Sequence, residues 1–154
     1  MSRKLEIRWS VMKKEDLIIE IPNEEESDYI DDMLMEHNKL SKPFEQKEAF
    51  ISIKRCVKDL EGQVIAGILA YSVMWHILYI DTLWVKEEYR SKGYGSILLK
   101  KVEDEAKNIG CHMAHLDTFD FQGPDFYKKN GYEVFGVLED SPMGHKEYFL
   151  TKRL

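Results

Sequence analysis

The stretch RSKGYGSILLKKVEDEAKNIG, residues Arg90–Gly110, passes from a basic loop with two glycines into an amphipathic segment. Helical spacing places five apolar side chains on one face of that segment, and Gly110 suits its C-terminal cap: Leu98, Leu99, Val102, Ala106 and Ile109. The first amide groups of a helix lack partners and carry the positive end of its dipole, so a helix start readily binds anions. The loop is therefore either a tight turn or a cradle for a phosphate-bearing ligand.

Known phosphate-binding spacings narrow this choice. The pattern GxxxxGK[ST] is absent, and the dinucleotide pattern GxGxxG needs a third glycine that this loop does not have. What remains is R-x-x-G-x-G, in which Gly93 and Gly95 allow close approach of the backbone and Arg90 and Lys92 supply charge. The hexapeptide by itself fits a solvated turn equally well.

The patterns on both sides of the loop predict a mixed α/β layer with a central sheet, rather than a doubly wound nucleotide fold. The predicted order is strand (17–21), helix (22–40), three antiparallel strands (49–60, 63–74, 76–85), helix after Gly93, strand (112–119), helix (124–130), and two paired strands (132–138, 145–154). Residues 4–11 alternate like a strand and are either an extra edge strand or a tail.

Length and composition limit the class of protein. The 154 residues suit a single domain, 1–154, in which 1–16 is an N-terminal extension. No apolar run approaches the roughly 20 residues that span a bilayer, and the N-terminus lacks a secretory pattern. We therefore expect a cytoplasmic protein with reduced thiols at Cys56 and Cys111 and no membrane partner. The net charge of −6 argues against nucleic-acid binding; by itself it is better explained as a charge that keeps the protein soluble, and it only mildly favours a cationic substrate.

A second motif follows the glycine loop about thirty residues later. It is FYKKNGYEVFG, with Phe126, Tyr127, Gly131 and Tyr132. The two motifs and the order of elements resemble the GNAT superfamily, the Gcn5-related N-acetyltransferases, over roughly residues 17–154. The tail of the chain also looks like one bacterial subgroup of that family. The resemblance implies the acyl-CoA N-acyltransferase fold and transfer of the acetyl group of acetyl-CoA to a primary amine of a small molecule or peptide.

The resemblance also implies which residues bind the coenzyme. Backbone groups of one strand, Leu83, Trp84 and Val85, are expected to pair with the pantetheine arm. The loop that follows is expected to hold the pyrophosphate: Arg90, Ser91, Lys92, Gly93, Tyr94, Gly95 and Ser96. Many members carry an asparagine that contacts the coenzyme seven residues before the motif tyrosine, where this chain has Asp120. An ionised carboxylate cannot donate that hydrogen bond, so Gln122 is the alternative contact.

Tyr127 matches the family's general acid, which gives its proton to the departing coenzyme A sulfur. It is also expected to touch the coenzyme. The alternative interpretation is an aromatic side chain that packs on one face of a short helix, as we expect for Phe126.

The general base is an open choice. Asp81 is the first candidate, because Tyr79, Asp81, Leu83 and Val85 share one face if the strand is unbroken. Asp81 either accepts the amine's proton, binds a cationic substrate, or satisfies a neighbouring loop. Asp117 and His145 are weaker candidates.

Other functional classes remain as alternatives. One is a non-catalytic acyl-CoA-binding or sensing domain of the same fold, and another is a partner-binding module. No metal site is expected, since His112 and His115 lie three apart in a predicted strand and therefore on opposite faces. Trp75, Trp84 and Tyr79 are candidates to line an acceptor pocket, and a homodimer is one open oligomeric state.

Overall fold

The computed structural model describes residues 17–154, which divide into two compact units, one ending at Pro43 and one spanning Phe44–Leu154. The first unit contains helix α1 (Glu24–Ser41), which begins with a capping box. The Glu26 N–H donates to Asn23 Oδ1 at 2.9 Å, and Glu26 Oε2 accepts from the Asn23 N–H at 2.8 Å. This confirms the predicted helix.

The predicted strand at residues 17–21 is wrong, because this segment has no regular structure and pairs with none of the described strands. A short apolar run becomes a strand only when another strand supplies its hydrogen bonds, and the run itself does not specify one. The alternating residues 4–11 lie outside the described residues.

The second unit contains a sheet of six strands among the described residues, in the order β1-β2-β3-β4-β6-β5. Every neighbouring pair is antiparallel except β3 and β4, which are parallel. The strands are β1 (Phe50–Lys58), β2 (Val64–Val73), β3 (Ile77–Val85), β4 (Met113–Phe119), β5 (Glu133–Glu139) and β6 (Lys146–Arg153). The predicted hairpins and the mixed α/β class are confirmed.

Two helices and a short 3₁₀ turn join these strands. Helix α2 (Tyr94–Asn108) makes the crossover between the parallel strands, the 3₁₀ turn is Glu87–Tyr89, and α3 (Pro124–Lys129) precedes β5. The apolar face of α2 packs in the core with residues of β3 and β4 such as Leu78 and Ala114. Ile109 is an exception to the predicted face, because it is the C-terminal cap of α2 and is 38% exposed.

A buried polar group joins α2 to β6 and to the residue that precedes β5. Glu103 is only 6% exposed, and its carboxylate accepts from the Tyr132 hydroxyl at 2.9 Å and from Lys152 Nζ at 2.7 Å. The Lys152 ammonium also lies over the Tyr132 ring, 5.4 Å from its centroid. The buried carboxylate is therefore both paired and hydrogen-bonded, as burial of a charge requires.

The parallel strands β3 and β4 pair only over Ile77–Tyr79 and Met113–His115. Beyond these residues β3 continues along β2, and β4 continues along β6. The two strands therefore separate, and a gap opens between the end of β3 and the end of β4.

A β-bulge interrupts β3 at Asp81. Ile80 pairs with Ala70 and Thr82 pairs with Leu69, so Asp81 has no partner in β2. The extra residue shifts the alternation of side chains along the strand.

The expectation that Tyr79, Asp81, Leu83 and Val85 share one face is therefore wrong. Leu78 lies in the core before the bulge, whereas Leu83 and Val85 pack against the same core after it. Tyr79 consequently lies on the opposite face of the sheet from Leu83 and Val85.

Candidate active site

A cavity of about 730 Å³ occupies the gap between β3 and β4, bordered by the start of α2 and by α3. Most of the predicted site residues line it, whereas Lys92 and Asp120 are not among the lining residues. The lining residues predicted from sequence are Asp81, Leu83, Trp84, Val85, Arg90, Ser91, Gly93, Tyr94, Gly95, Ser96, Gln122 and Tyr127. The residues that sequence reasoning did not place in a coenzyme site include Thr82, Tyr89, Thr118, Phe121 and Phe126.

The start of α2 presents free amide groups to this cavity. Gly93 is the N-cap residue with φ +88°, and it makes no side-chain capping bond. The first backbone bond of the helix runs from the Ile97 N–H to the Gly93 carbonyl at 3.0 Å. The amides of Tyr94, Gly95 and Ser96 therefore precede the helical ladder and lack partners within it.

Gly95 is required by packing rather than by backbone conformation. A Cβ at this position would lie 3.1 and 3.2 Å from two ring carbons of Phe126 and 3.7 Å from Val85 Cγ2. The absence of a side chain lets α2, α3 and the end of β3 meet closely at the wall of the cavity.

The two loop cations occupy different positions. Arg90 lines the cavity, and its Nε donates to the Val85 carbonyl at 3.0 Å, which ties the loop to the end of β3. The Lys92 ammonium lies over the Tyr89 ring, 5.2 Å from its centroid. Of these two cations, Arg90 is therefore the one that lines the cavity.

Tyr127 lies on α3 and is only 9% exposed, with its ring 5.1 Å from that of Phe126 and 5.9 Å from that of Tyr132. Burial, with a smaller contribution from the negative charge of Asp117, raises the pKa of Tyr127 to about 12. The phenol is therefore protonated at neutral pH and able to donate a proton.

Two carboxylates line the cavity at the gap between the strands. Asp81 lies on the bulge, is exposed, and accepts from the Thr82 hydroxyl at 3.1 Å. Asp117 on β4 accepts from the Tyr79 hydroxyl at 2.8 Å. Burial of the Tyr79 ring and its bond to Asp117 raise the pKa of Tyr79 far above that of an ordinary tyrosine, so this phenol remains a donor.

Asp120 joins β4 to the start of β6. Its carboxylate accepts from the Lys146 N–H at 3.2 Å and lies 3.0 Å from His145 Nδ1. Both His145 and Asp120 are therefore engaged with each other, and neither belongs to the cavity lining.

Gln122, the alternative contact, does line the cavity. Its Oε1 accepts from the Phe119 N–H at 2.9 Å and from the Thr118 hydroxyl at 3.2 Å. The carboxamide is thus held by the end of β4, and its amino group is not used in these bonds.

The three aromatic residues considered for an acceptor pocket lie apart. Trp84 lines the cavity and is 46% exposed, whereas Trp75 packs edge-on against Phe44 at 6.3 Å. Tyr79 holds Asp117, as described above.

Within residues 17–154, no group of three or more histidine, cysteine, aspartate or glutamate side chains is arranged to hold a metal ion. No helix in that same range is long and apolar enough to cross a membrane.

Comparison with known proteins defines the class. The sequence model of the acetyltransferase (GNAT) family matches residues 16–132, which is most of the chain. The chain therefore belongs to the GNAT acetyltransferase family, and the resemblance drawn from the two motifs is confirmed.

Individual relatives agree with this class. The chain is 37% identical over 94 residues to the blasticidin-S acetyltransferase of Streptomyces morookaense. The aligned region covers 60% of this chain and 68% of that protein. A crystal structure of an acetyltransferase from Bacillus cereus ATCC 14579 superposes with a TM-score of 0.82 and 39% identity, over 90% of this chain and 98% of that one. An aminoglycoside 6′-N-acetyltransferase complexed with coenzyme A shares the fold, with a TM-score of 0.58 and 17% identity over 81% of this chain and 91% of that one.

Proposed function

We propose that the protein is an acetyl-CoA-dependent N-acetyltransferase that transfers the acetyl group to a primary amine of a small molecule or peptide by direct attack in a ternary complex. The observation that carries the proposal is the combination, in one cavity, of free helix-start amides, the unpaired edge of β3 and the buried phenol of Tyr127. The family supplies the general activity, and these groups suggest how this chain would perform it.

The coenzyme would bind along the gap between the strands. The edge of β3 at Leu83–Val85 has no β4 partner, so the backbone groups that point away from β2 could pair with the amides of a pantetheine arm, and the Val85 carbonyl already accepts from Arg90 Nε. The free amides from Tyr94 to Ser96, with the Arg90 guanidinium beside them, would hold the pyrophosphate. Gln122 would take the local contact made by asparagine in other members, because Asp120 is held by β6.

Catalysis would begin by holding the amine next to the thioester, which by itself supplies a large part of the rate. A carboxylate at the gap would take a proton from the amine, and Asp81 is the candidate predicted from sequence. Tyr127 would give its proton to the leaving thiolate, for which its raised pKa keeps the phenol protonated.

The acceptor is proposed to be a small cationic amine. The relatives named above act, by their names, on blasticidin S and on aminoglycosides, and two mammalian relatives are thialysine N-epsilon-acetyltransferases. The net charge of −6 favours the approach of a cation. We further propose that residues 1–154 form one domain and that the protein is a cytoplasmic homodimer. Size-exclusion chromatography with light scattering would measure its oligomeric state.

The direct test measures release of the free coenzyme A thiol from acetyl-CoA in the presence of polyamines, aminoglycosides or amino acids. We expect turnover with at least one amine class. Acetyl-CoA binding without turnover would instead identify the protein as an acyl-CoA sensor. Failure to bind acetyl-CoA would contradict the proposed coenzyme site.

Tyr127→Phe tests the assigned acid. We expect about a 100-fold lower kcat, the usual contribution of general acid catalysis, with unchanged acetyl-CoA affinity. Tyr148→Phe is the control, because Tyr148 lies outside the cavity lining, beneath the Lys128 ammonium. Undiminished turnover by Tyr127→Phe would remove this residue from the chemistry.

A further inference from the structure

A row of aromatic rings crosses three strands on the face of the sheet opposite α2. Tyr71 of β2 is the register partner of Tyr79 of β3, which in turn is the register partner of His115 of β4. The ring centroids are 5.5 Å apart for the two tyrosines and 5.0 Å apart for Tyr79 and His115. These contacts make one continuous aromatic surface that reaches the point where β3 and β4 separate.

Two carboxylates border this row at the cavity. Asp117 lies two residues beyond His115, hence on the same face of β4, and accepts from the Tyr79 hydroxyl at 2.8 Å. Asp81 is close enough for its charge to raise the pKa of both Tyr71 and Tyr79. Both carboxylates also line the cavity that contains Tyr127.

We propose that Asp117, held by the Tyr79 hydroxyl, binds the ammonium group of the acceptor and takes its proton, and that Tyr71, Tyr79 and Asp81 select acceptors with a second cationic group. Tyr79 is a positioning residue in this scheme, because it acts through Asp117. The inference rests on the acetyl transfer proposed above and identifies the acceptor side of the same site.

The contacts favour Asp117 over Asp81 as the group that takes the proton from the acceptor. Asp117 and Tyr127 both line the cavity, and the negative charge of Asp117 contributes to the raised pKa of Tyr127. Its orientation is fixed by a side chain from the neighbouring strand. Asp81, in contrast, is exposed and bonded to the hydroxyl of its own neighbour Thr82.

The proton balance of the reaction is complete with these groups. Asp117 takes one proton from the ammonium group and releases it to solvent, and the neutral amine then attacks the thioester carbon. A carbon–nitrogen bond forms and the carbon–sulfur bond breaks. Tyr127 gives its proton to the thiolate, and the second proton leaving the nitrogen restores the phenol, so the products are the amide, coenzyme A thiol and one proton in solution.

The aromatic row favours acceptors with a second cation, because it adjoins the cavity through Asp117, although its three rings are not among the lining residues. The faces of tyrosine rings attract cations, and Asp81 adds a negative charge beside them. Burial lowers the pKa of His115, so the third ring of the row is neutral at pH 7 and does not repel a cation. A diamine or polyamine therefore fits this surface, whereas an acceptor with a carboxylate near its amine does not.

A double-mutant cycle tests the role of the Tyr79–Asp117 pair. We expect Asp117→Asn to lower kcat about 100-fold and Tyr79→Phe to lower it about tenfold, the effect of one hydrogen bond. In the double variant, loss of the Tyr79 hydroxyl should add nothing to the effect of Asp117→Asn. A merely structural Tyr79 would instead lower the rate by the same factor in both backgrounds.

The controls are acetyl-CoA affinity, which should be unchanged in every variant, and Asp104→Asn, whose carboxylate is exposed on α2 and paired with Lys100 at 2.8 Å. Asp104→Asn should retain the wild-type rate. The inference is overturned if Asp117→Asn retains the wild-type kcat, or if Asp81→Asn carries the loss of kcat instead.

The acceptor class is tested with 1,6-diaminohexane and hexylamine as matched amines. We expect kcat/KM to be about tenfold higher for the diamine. Asp81→Asn should remove this preference by lowering kcat/KM for the diamine to the value for hexylamine. Equal kcat/KM values for the two amines in the wild-type protein would overturn the selection of a second cation. Absence of turnover with every amine would instead defeat the proposed function itself, and this inference with it.

Discussion

The free amides at the start of α2 depend on the left-handed conformation of Gly93, and this dependence can be tested with a matched pair of variants. Gly93 has φ +88°, and a Cβ built on it meets nothing within 4 Å. Gly62, in the turn between β1 and β2, has φ +83° and the same open surroundings. The two glycines thus differ in location and not in the strain that a side chain would cause.

An alanine at either position costs about 1–2 kcal/mol, the penalty for an ordinary residue in the left-handed region. In a chain of this length each kcal/mol lowers the Tm by about 2–4 °C. We therefore expect Gly93→Ala and Gly62→Ala to lower the free energy of unfolding by similar amounts, measured by urea unfolding.

Coenzyme binding should separate the two variants. In Gly93→Ala we expect the strained backbone to shift the peptide groups that lead into α2, which displaces the amides of Tyr94 to Ser96. Loss of one hydrogen bond to a charged pyrophosphate, about 1.5–3 kcal/mol, corresponds to roughly 10- to 150-fold weaker binding. Gly62→Ala should leave the Kd for coenzyme A, measured by calorimetry, unchanged.

The result that refutes this reasoning is a Gly93→Ala variant that loses stability as Gly62→Ala does and binds coenzyme A with wild-type affinity. The loop would then be a turn and nothing more. A Gly93→Ala variant as stable as the wild type would contradict the assigned backbone strain instead.

Two further predictions concern stability. Glu103→Gln should lower the free energy of unfolding by about 3 kcal/mol, because it leaves the Lys152 ammonium without its buried partner. The control Glu139→Gln removes one member of an exposed ion pair and should change the free energy of unfolding by less than about 1 kcal/mol. Equal losses for the two variants in urea unfolding would contradict the role of burial. The free energy of unfolding should also fall between pH 10 and pH 12. Burial raises the pKa of Tyr127 in the folded state to about 12, from an unfolded value near 10. The stabilisation from the protonated Tyr127 phenol is therefore complete below pH 10 and is lost as the pH passes 12. Tyr127→Phe should make that fall shallower by about 3 kcal/mol, and a fall of the same size in both proteins would contradict the assignment.

Much of the fold could be predicted from local patterns in the sequence. The turn at Glu61–Gly62 lies between two alternating runs and predicts the β1–β2 hairpin, and the apolar periodicity after Gly93 predicts α2. Features that depend on a partner strand were not predictable in this way. The Asp81 bulge exists because Ile80 and Thr82 pair with successive residues of β2, and no residue type near Asp81 signals this.

The same distinction applies to the candidate site. The motif loop and Tyr127 were predicted because a family resemblance assigns them by spacing, and Tyr127 and the loop residues other than Lys92 line the cavity. The Tyr79–Asp117 hydrogen bond joins residues 38 positions apart. It depends on the parallel register of β3 and β4, which no local sequence pattern specifies. The bonds of Asp120 to β6 depend likewise on tertiary structure.

The short pairing of β3 with β4 has a consequence for how the sheet opens. Since the two strands share only Ile77–Tyr79 and Met113–His115, the sheet consists of two three-stranded antiparallel halves joined along a narrow seam. Each half has its own continuous ladder of hydrogen bonds, so amide hydrogens near the seam should exchange by sub-global separation of the halves at a lower free energy than global unfolding. A molecule bound in the gap touches both halves and opposes their separation, so binding would convert two weakly coupled pieces into one cooperative unit.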